Sequence, residues 1–541
     1  MNANTEQELQ FGIDRLVTNG RRIFGWGWAA HPAHTIDEVA LLLKGDAWER
    51  RLPVNFGLAR RDVESAFPRL RNAGSSGFVM TGYMPQAPAR TIILELRFDD
   101  GTTAEFDITR VAESRHRSRR KLRELLWLVR AVWRRLKQRD IRGILSRARA
   151  QNYSAPSLDD LNIVQRLLTP LNQGRAITVV FDHNMGGGAN QYRRALIDQR
   201  LASGLVVLLC TYNLPTLDYR LHLFRPGGDE EVYRISSFLG LERLLNESRV
   251  EELFVNSPVS FDEPLNFADW ISAMRSSNPK TRLTVAVHDY FSVCPSFVLL
   301  NADGRYCGIP DITVCEACLK RHQARYVALS PPTEIGPWRA LWGRCLGAAD
   351  EVRCFSASTR QLLLRAYPDL DVDRITVMPH RVDYLPVRLP KLDHAAPLVI
   401  GVIGHISVQK GAMVVKEMLA RINRAHPDVR VVVIGTLDVA VKSEQLRVIG
   451  TYRHEDLVEL IEANGINMCF FPSICPETFS YVTEEMILLG LPIVAFDLGA
   501  PGERLRSYRK SRLCAEVNAD SALTALIAFH EQLAATESTP A

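Results

Sequence analysis

The sequence predicts an α/β protein with two tandem Rossmann-like domains and a ligand cleft between them, preceded by a small all-β sandwich and a basic helical linker. Three observations predict this. The 541 residues exceed what one compact core holds at roughly 150 residues per domain. From residue 176 onward, short β-branched runs alternate with helical stretches, the texture of βα units on a parallel sheet. That alternation breaks over 386–397 and then starts again, and each half carries a Gly-rich turn after its first strand.

Composition narrows the class. Hydrophobic residues make up 46% and charged residues 23%, which excludes a disordered chain, a fibrous repeat and a polytopic membrane protein. The most continuous apolar run, 486–496, has 11 residues including Gly490 and Pro492, whereas a spanning helix needs about 20. The first residues show no basic stretch followed by an apolar one, so a cytoplasmic location is expected. Ten cysteines in a chain this long are not a disulfide scaffold.

Within 1–110, strands are expected at 22–28, 39–43, 78–83, 91–98 and 104–109, with Asp99-Asp100-Gly101 as a hairpin turn. Trp26 and Trp28 there suit either a sandwich core or, less often, a sugar-stacking platform. Residues 111–155 read as helical, with Leu122, Leu125, Leu126, Val129, Val132, Trp133 and Leu136 on one face. Over 115–149, 14 Arg or Lys stand against Glu124 and Asp140, a net +12 that leaves −7 for the rest. Such a segment fits an anionic membrane surface and equally a helix packed between domains with its charges in solvent; both readings stay open. Nothing in the charge pattern calls for nucleic acid.

The first Rossmann-like domain spans 175–390, with strands expected at 177–181, 205–210, 253–256, 283–288, 351–356 and 375–378. The second spans 395–520, with strands at 398–404, 430–435, 468–472 and 492–496, and 521–541 form a terminal helix, expected over 520–535, and a tail. Gly186, Gly187 and Gly188 follow the first strand of the first domain, where consecutive glycines let backbone N–H groups approach a ligand at a helix N-terminus. In the second domain the turn runs from Gly404 and His405 to Lys410 and Gly411, which sets a point charge for a phosphate beside a helix start. Its spacing is not GxGxxG, which disfavours a dinucleotide dehydrogenase. The strongest element is the run from Pro472 to Met486: a strand closes at Phe471, a loop presents Glu477, and a helix from near Ser480 carries Glu485. Two carboxylates eight positions apart then flank one helix N-terminus, and an unpaired buried carboxylate beside the apolar 486–489 run would be costly without a ligand.

Together the Glu477-x7-Glu485 pair, the Lys410-Gly411 turn and the Gly187-Gly188 loop resemble the retaining nucleotide-sugar glycosyltransferases of family 4, with the GT-B fold, over about 175–520. The stretches His288-Asp289-Tyr290-Phe291, Ser356 to Thr359 and Pro476 to Tyr481 resemble bacterial polysaccharide or O-antigen enzymes, some of which carry an appended N-terminal β-sandwich. The resemblance implies that Glu485 holds the ribose hydroxyls, Glu477 the donor-sugar hydroxyls and Lys410 the diphosphate. It further implies that His288 touches the donor sugar across the cleft, that Gly187 and Gly188 line its mouth, and that Gly404, His405, Thr478, Phe479 and Ser480 complete the donor pocket. His405 stands where an arginine is common, and Thr478 and Ser480 where glycines are. The implied reaction moves a hexose from a nucleotide diphosphate sugar to a surface polysaccharide or lipid-linked glycan, at the inner face of the cytoplasmic membrane. The competing reading is a non-catalytic glycan- or nucleotide-binding assembly protein.

Charge develops on the departing diphosphate, and Lys410 with two helix N-termini can stabilise it without a metal cofactor. Asp371-Val-Asp373 has the Asp-x-Asp form of metal-dependent sugar transferases but precedes a strand instead of following one, and it reads as a solvated loop. The last constellation is Cys294-x12-Cys307-x7-Cys315-x2-Cys318, which suits a structural zinc or a set of reduced thiols.

Overall fold

In the strand Arg22–Ala30 every second residue is buried, the pattern of a sheet with one face on a core. The computed structural model describes residues 9–19, 22–83, 89–114, 177–235, 238–246, 248–321, 334–385, 388–514 and 516–537. The segment 115–149, with its basic amphipathic face, lies outside these residues.

The N-terminal part forms two antiparallel four-stranded sheets. One runs Gln10–Asn19, Arg22–Ala30, Gly77–Tyr83, Asn55–Leu58; the other runs Glu49–Pro53, Ile36–Lys44, Thr91–Phe98, Thr103–Asp107. They share one core, with Ile13, Ile23, Phe78 and Met80 from the first sheet and Val39, Leu41, Leu43 and Leu94 from the second. Gly27 is dictated by close approach, since a Cβ there would lie 2.2 Å from the Gly12 carbonyl oxygen. The tryptophans between these glycines are half-buried against protein: Trp28 lies 5.2 Å from the Phe67 ring, and the Arg15 guanidinium sits over Trp26. They pack; they do not form a bare platform.

The next sheet has eight strands, in the order Glu231–Ile235, Asp218–Phe224, Val206–Asn213, Ile177–His183, Val250–Val255, Arg282–Ala286, Glu351–Cys354, Ile375–Val377. The last six are parallel, while Asp218–Phe224 and Glu231–Ile235 add an antiparallel hairpin edge that the sequence reading does not contain. Ile177–His183 is buried throughout, as a central strand covered on both faces must be. The third sheet has six parallel strands, in the order Leu446–Val448, Arg430–Leu437, Val399–Ile406, Met468–Phe471, Ile493–Phe496, Ser511–Cys514. Separate apolar clusters cover its two faces, one containing Val415, Leu419 and Leu526, the other Ile461, Met486 and Leu505. The final helix, Ala519–Glu537, packs on that sheet.

The N-terminal β domain touches both parallel-sheet domains. Buried Arg22 donates to the Ser260 carbonyl at 3.2 Å and lies over the Tyr212 ring. On the other side Leu58 forms a β-bridge to Val439, the Ala59 N–H donates to the Asp438 carbonyl at 3.1 Å, and Lys442 pairs with Glu64. A cleft of about 340 Å³ remains along this second seam, lined in part by Asn72, Lys416 and Lys442. Among the described residues no helix is long and apolar enough to cross a membrane.

Candidate active site

The strand Val399–Ile406 ends in a turn whose last residue, Gly411, has φ 83 and precedes the helix Ala412–Ala425. A Cβ on Gly411 would lie 2.0 Å from the Pro472 carbonyl oxygen, so the turn can be this close to the neighbouring loop only with glycine. That contact presses the Lys410 turn against the loop carrying Glu477, and Lys410 Nζ lies 3.7 Å from Glu477 Oε1. Glu477 is nearly buried and Lys410 half-exposed. The loop ends at Ser480, whose hydroxyl caps the helix Tyr481–Leu488 by accepting the Thr483 N–H at 3.2 Å.

Glu485, on that helix, is wholly buried. Its Oε1 accepts the Tyr384 phenol at 2.5 Å and lies 3.1 Å from His454 Nδ1; its Oε2 has no protein partner. A buried carboxylate oxygen without a donor is expensive, and here it marks the point where a ligand hydroxyl would be welcome. The hydrogen bond to Glu485 raises the His454 pKa against the opposing effect of burial. Burial, and then the same carboxylate, push the Tyr384 phenol up, keeping it a donor.

Across the cleft, the Gly-rich loop is fixed from below. Asp182, fully buried, accepts Arg193 at 2.8 Å and Asn190 at 2.9 Å, and Asn190 in turn accepts the Gly186 N–H at 2.7 Å. Gly186 and Gly187 have φ 91 and 87 and stand open, whereas a Cβ on Gly188 would meet the Tyr481 ring at 2.8 Å. His288 stacks on Phe355 at 4.3 Å and lies parallel to His380, which stacks on Phe355 and on Tyr481. His288 Nε2 lies 2.9 Å from Asn256 Oδ1. Burial holds His288 well below the usual imidazole range and brings His380 down to about 4, so both rings are neutral at neutral pH. Neither can act there as a fixed cation.

The two halves of the site are tied directly. Thr478 donates to the His288 carbonyl at 2.8 Å, Thr359 donates to the Thr478 carbonyl, and Phe479 meets the His380 ring edge-on at 4.7 Å. Glu503 accepts the Ala357 and Ser358 N–H groups at 3.1 and 2.6 Å, closing the start of the helix Ala357–Ala366 from the other domain.

Lys410, Glu477, Glu485, His288, Gly187 and Gly188 thus lie along the seam where the two parallel-sheet domains meet. Some residues expected in the donor pocket are employed otherwise. The side chains of Thr478, Phe479 and Ser480 are engaged in protein contacts: a cross-domain hydrogen bond, a ring contact and a helix cap. Gly404, at φ 109, faces Val482 and the close-lying Gly435. His405 turns to Thr436 at 2.6 Å and Asp438 at 3.4 Å, on the neighbouring strand side, and not to Lys410. Asp371 caps the short helix Val372–Arg374 by accepting the Asp373 N–H, and both aspartates are solvated. Cys294, Cys307, Cys315 and Cys318 are neighbours, yet among the described residues no three of their sulfurs lie within 4.8 Å of one another.

Residues absent from the sequence reading are Tyr384, His454, His380, Tyr481 as a ring platform, and Glu503. His380 had a usable signal, since it follows the strand Ile375–Val377 at the carboxyl edge of the sheet, where ligands of open α/β folds bind.

Residues 397–532, about a quarter of the chain, match the family model described as glycosyl transferases group 1. Among solved structures, sucrose-phosphate synthase from Thermosynechococcus elongatus is similar at 15% identity and TM-score 0.44, over 66% of this chain and 92% of that one. HepE from Anabaena, in complex with UDP and glucose, aligns at 14% identity and TM-score 0.37, over 67% and 99% of the two chains. The lipopolysaccharide outer core galactosyltransferase WaaB aligns at 11% and 0.39, over 67% and 94%. No curated protein matches. Likenesses this distant say nothing about substrate. The class defined by the group 1 domain and the paired parallel sheets around a cleft is a glycosyltransferase of GT-B architecture. Within it, the group 1 domain is the one that holds Lys410, Glu477 and Glu485.

Proposed function

We propose that the chain moves a hexose, with retention of anomeric configuration, from a nucleotide diphosphate sugar to a surface polysaccharide or lipid-linked glycan. The observation that carries this reading is the buried Glu485 with one oxygen unpartnered, eight positions after the Glu477 that pairs with Lys410. In this reading the Glu485 carboxylate accepts the ribose hydroxyls, Lys410 and the amides at the start of the helix Ala412–Ala425 stabilise the departing diphosphate, and Glu477 accepts hydroxyls of the sugar. His288, neutral, offers the sugar an apolar and hydrogen-bonding wall and no charge. The acceptor approaches past Gly186 and Gly187 on the face from which the diphosphate leaves. Its hydroxyl proton passes to a diphosphate oxygen as the glycosidic bond forms, so no protein nucleophile is needed.

The basic stretch 115–149 would hold the enzyme at the inner leaflet of the cytoplasmic membrane, each Lys or Arg near the surface contributing roughly 1 kcal/mol. Sedimentation with anionic vesicles tests that part, and unchanged sedimentation after removal of the stretch would make it a linker. A panel of UDP-, GDP- and dTDP-sugars tests the reaction. Release of nucleoside diphosphate is expected with one donor, and tight binding of all donors without release would leave a binding protein in its place.

A further inference from the structure

Directly after His288 the chain leaves the sheet in a loop that returns at the helix Ile312–Arg321, and all four clustered cysteines lie on this excursion. One of their sulfurs accepts a backbone N–H group, Cys318 from Ala302 at 3.3 Å. A neutral thiol is a weak acceptor, and an amide aimed at a sulfur is a contact that the outer shell of a metal site also makes.

Two further features point the same way. Arg339 Nη2 lies 3.5 Å from Cys315 Sγ, a cation set against a sulfur. A zinc ion with four thiolates carries a net charge of about −2, which such a guanidinium offsets. The loop also holds Leu299 at φ 54 and Ile309 at φ 58, on either side of Cys307. Non-glycine residues in that region persist only where the surroundings over-determine them.

We propose that Cys294, Cys307, Cys315 and Cys318 bind one structural zinc ion. Binding releases the thiol protons to water and draws the sulfurs, no three of which now lie within 4.8 Å, to the spacing of about 3.8 Å that a tetrahedral Zn–S bond of about 2.3 Å requires. The ion then fixes the hairpin around Leu300 and Tyr306, which pairs across itself and packs on Val408, Ile474 and Cys475 of the other domain. Those three residues belong to the Lys410 turn and the Glu477 loop. The metal therefore sets the position of the donor-side loops from the opposite domain without touching a reacting atom.

Elemental analysis of the full chain purified without chelator should find close to one zinc per chain, and the Cys307→Ser, Cys318→Ser double variant should fall to background. Cobalt added to the metal-stripped protein should give the intense thiolate-to-metal absorption of a tetrahedral site. Because the double variant can fail to fold, the cobalt spectrum is read on the unaltered chain. Folded protein with no stoichiometric zinc and no cobalt–thiolate absorption overturns the proposal, and so does zinc that persists in the folded double variant.

Discussion

At the residue scale, the proposed reaction gives Glu485 and Glu477 different tasks. In it, ribose hydroxyls would donate to Glu485 equally in ground and transition states, so Glu485→Gln is expected to raise the donor KM and leave kcat near its original value. Glu477 would meet a sugar gaining positive charge at its anomeric carbon, so Glu477→Gln is expected to lower kcat more than it raises KM. A charged hydrogen bond contributes about 1.5 to 3 kcal/mol, which sets both losses at roughly ten- to a hundredfold. Steady-state kinetics at saturating acceptor separates them, and wild-type values for both folded variants would make the carboxylates structural. His454 carries a pH signature. Its pKa is raised in the folded chain by the bond to Glu485, so its contribution to stability is full below the ordinary value of 6.5 and is lost as the pH rises through the raised value. His454→Gln should therefore cost stability near pH 6 and almost none near pH 9, by less than about 1 kcal/mol because the ring is half-exposed. Urea melts at the two pH values check this; an equal loss at both would mean that His454 merely packs. Glu477 and Glu485 stand out in the sequence because they lie eight positions apart, and Lys410 because it precedes the Gly411 turn. Tyr384 does not, since its bond to Glu485 crosses 101 positions of sequence.

At the element scale, the helix Ala357–Ala366 is capped twice, by its own Ser356 hydroxyl on the Thr359 N–H and by Glu503 on the two preceding amides. Removing the carboxylate with Glu503→Ala should cost about 1 kcal/mol, the usual loss of a cap and of an anion at a helix N-terminus. Amide exchange at Ala357 and Ser358 should speed up while exchange in the final helix stays unchanged; uniform acceleration would place the effect in global stability instead. Helices and parallel strands of this kind were legible because they combine β-branched runs with 3.6-residue periodicity. The strands Leu446–Val448 and Ser511–Cys514 escaped, being three and four residues long at sheet edges. The hairpin edge Asp218–Phe224 and Glu231–Ile235 escaped for another reason. Its alternation at Tyr219, Leu221 and Leu223 is visible, but it breaks the βα rhythm that governed the reading.

At the scale of the whole molecule, the N-terminal β domain is seated on two partners at once, and Arg22 is one fastening on the first of them, beside Val17 and Phe24, which pack into that domain's core. Arg22→Met removes a buried donor from the Ser260 carbonyl and a cation from the Tyr212 face, for an expected loss of about 2 to 3 kcal/mol in chemical denaturation. Limited proteolysis should then release the β domain first, and an unchanged cleavage pattern would mean that its remaining contacts, the Val17 and Phe24 packing and the Val439 seam, hold it without Arg22. None of this seam was readable from the sequence, because the residues that make it, such as Leu58 at the end of its strand and the following Ala59, pair with a segment far along the chain. The same distance has a consequence during synthesis. The β domain leaves the ribosome before both parallel-sheet domains, and its second seat, at Asp438 to Lys442, is translated about 380 residues later, on the order of 20 to 75 s at ordinary elongation rates. Through that interval the edge strand Asn55–Leu58 is without its later partner, so nascent chains, more than finished molecules, are the species in which this protein is most exposed to misassociation.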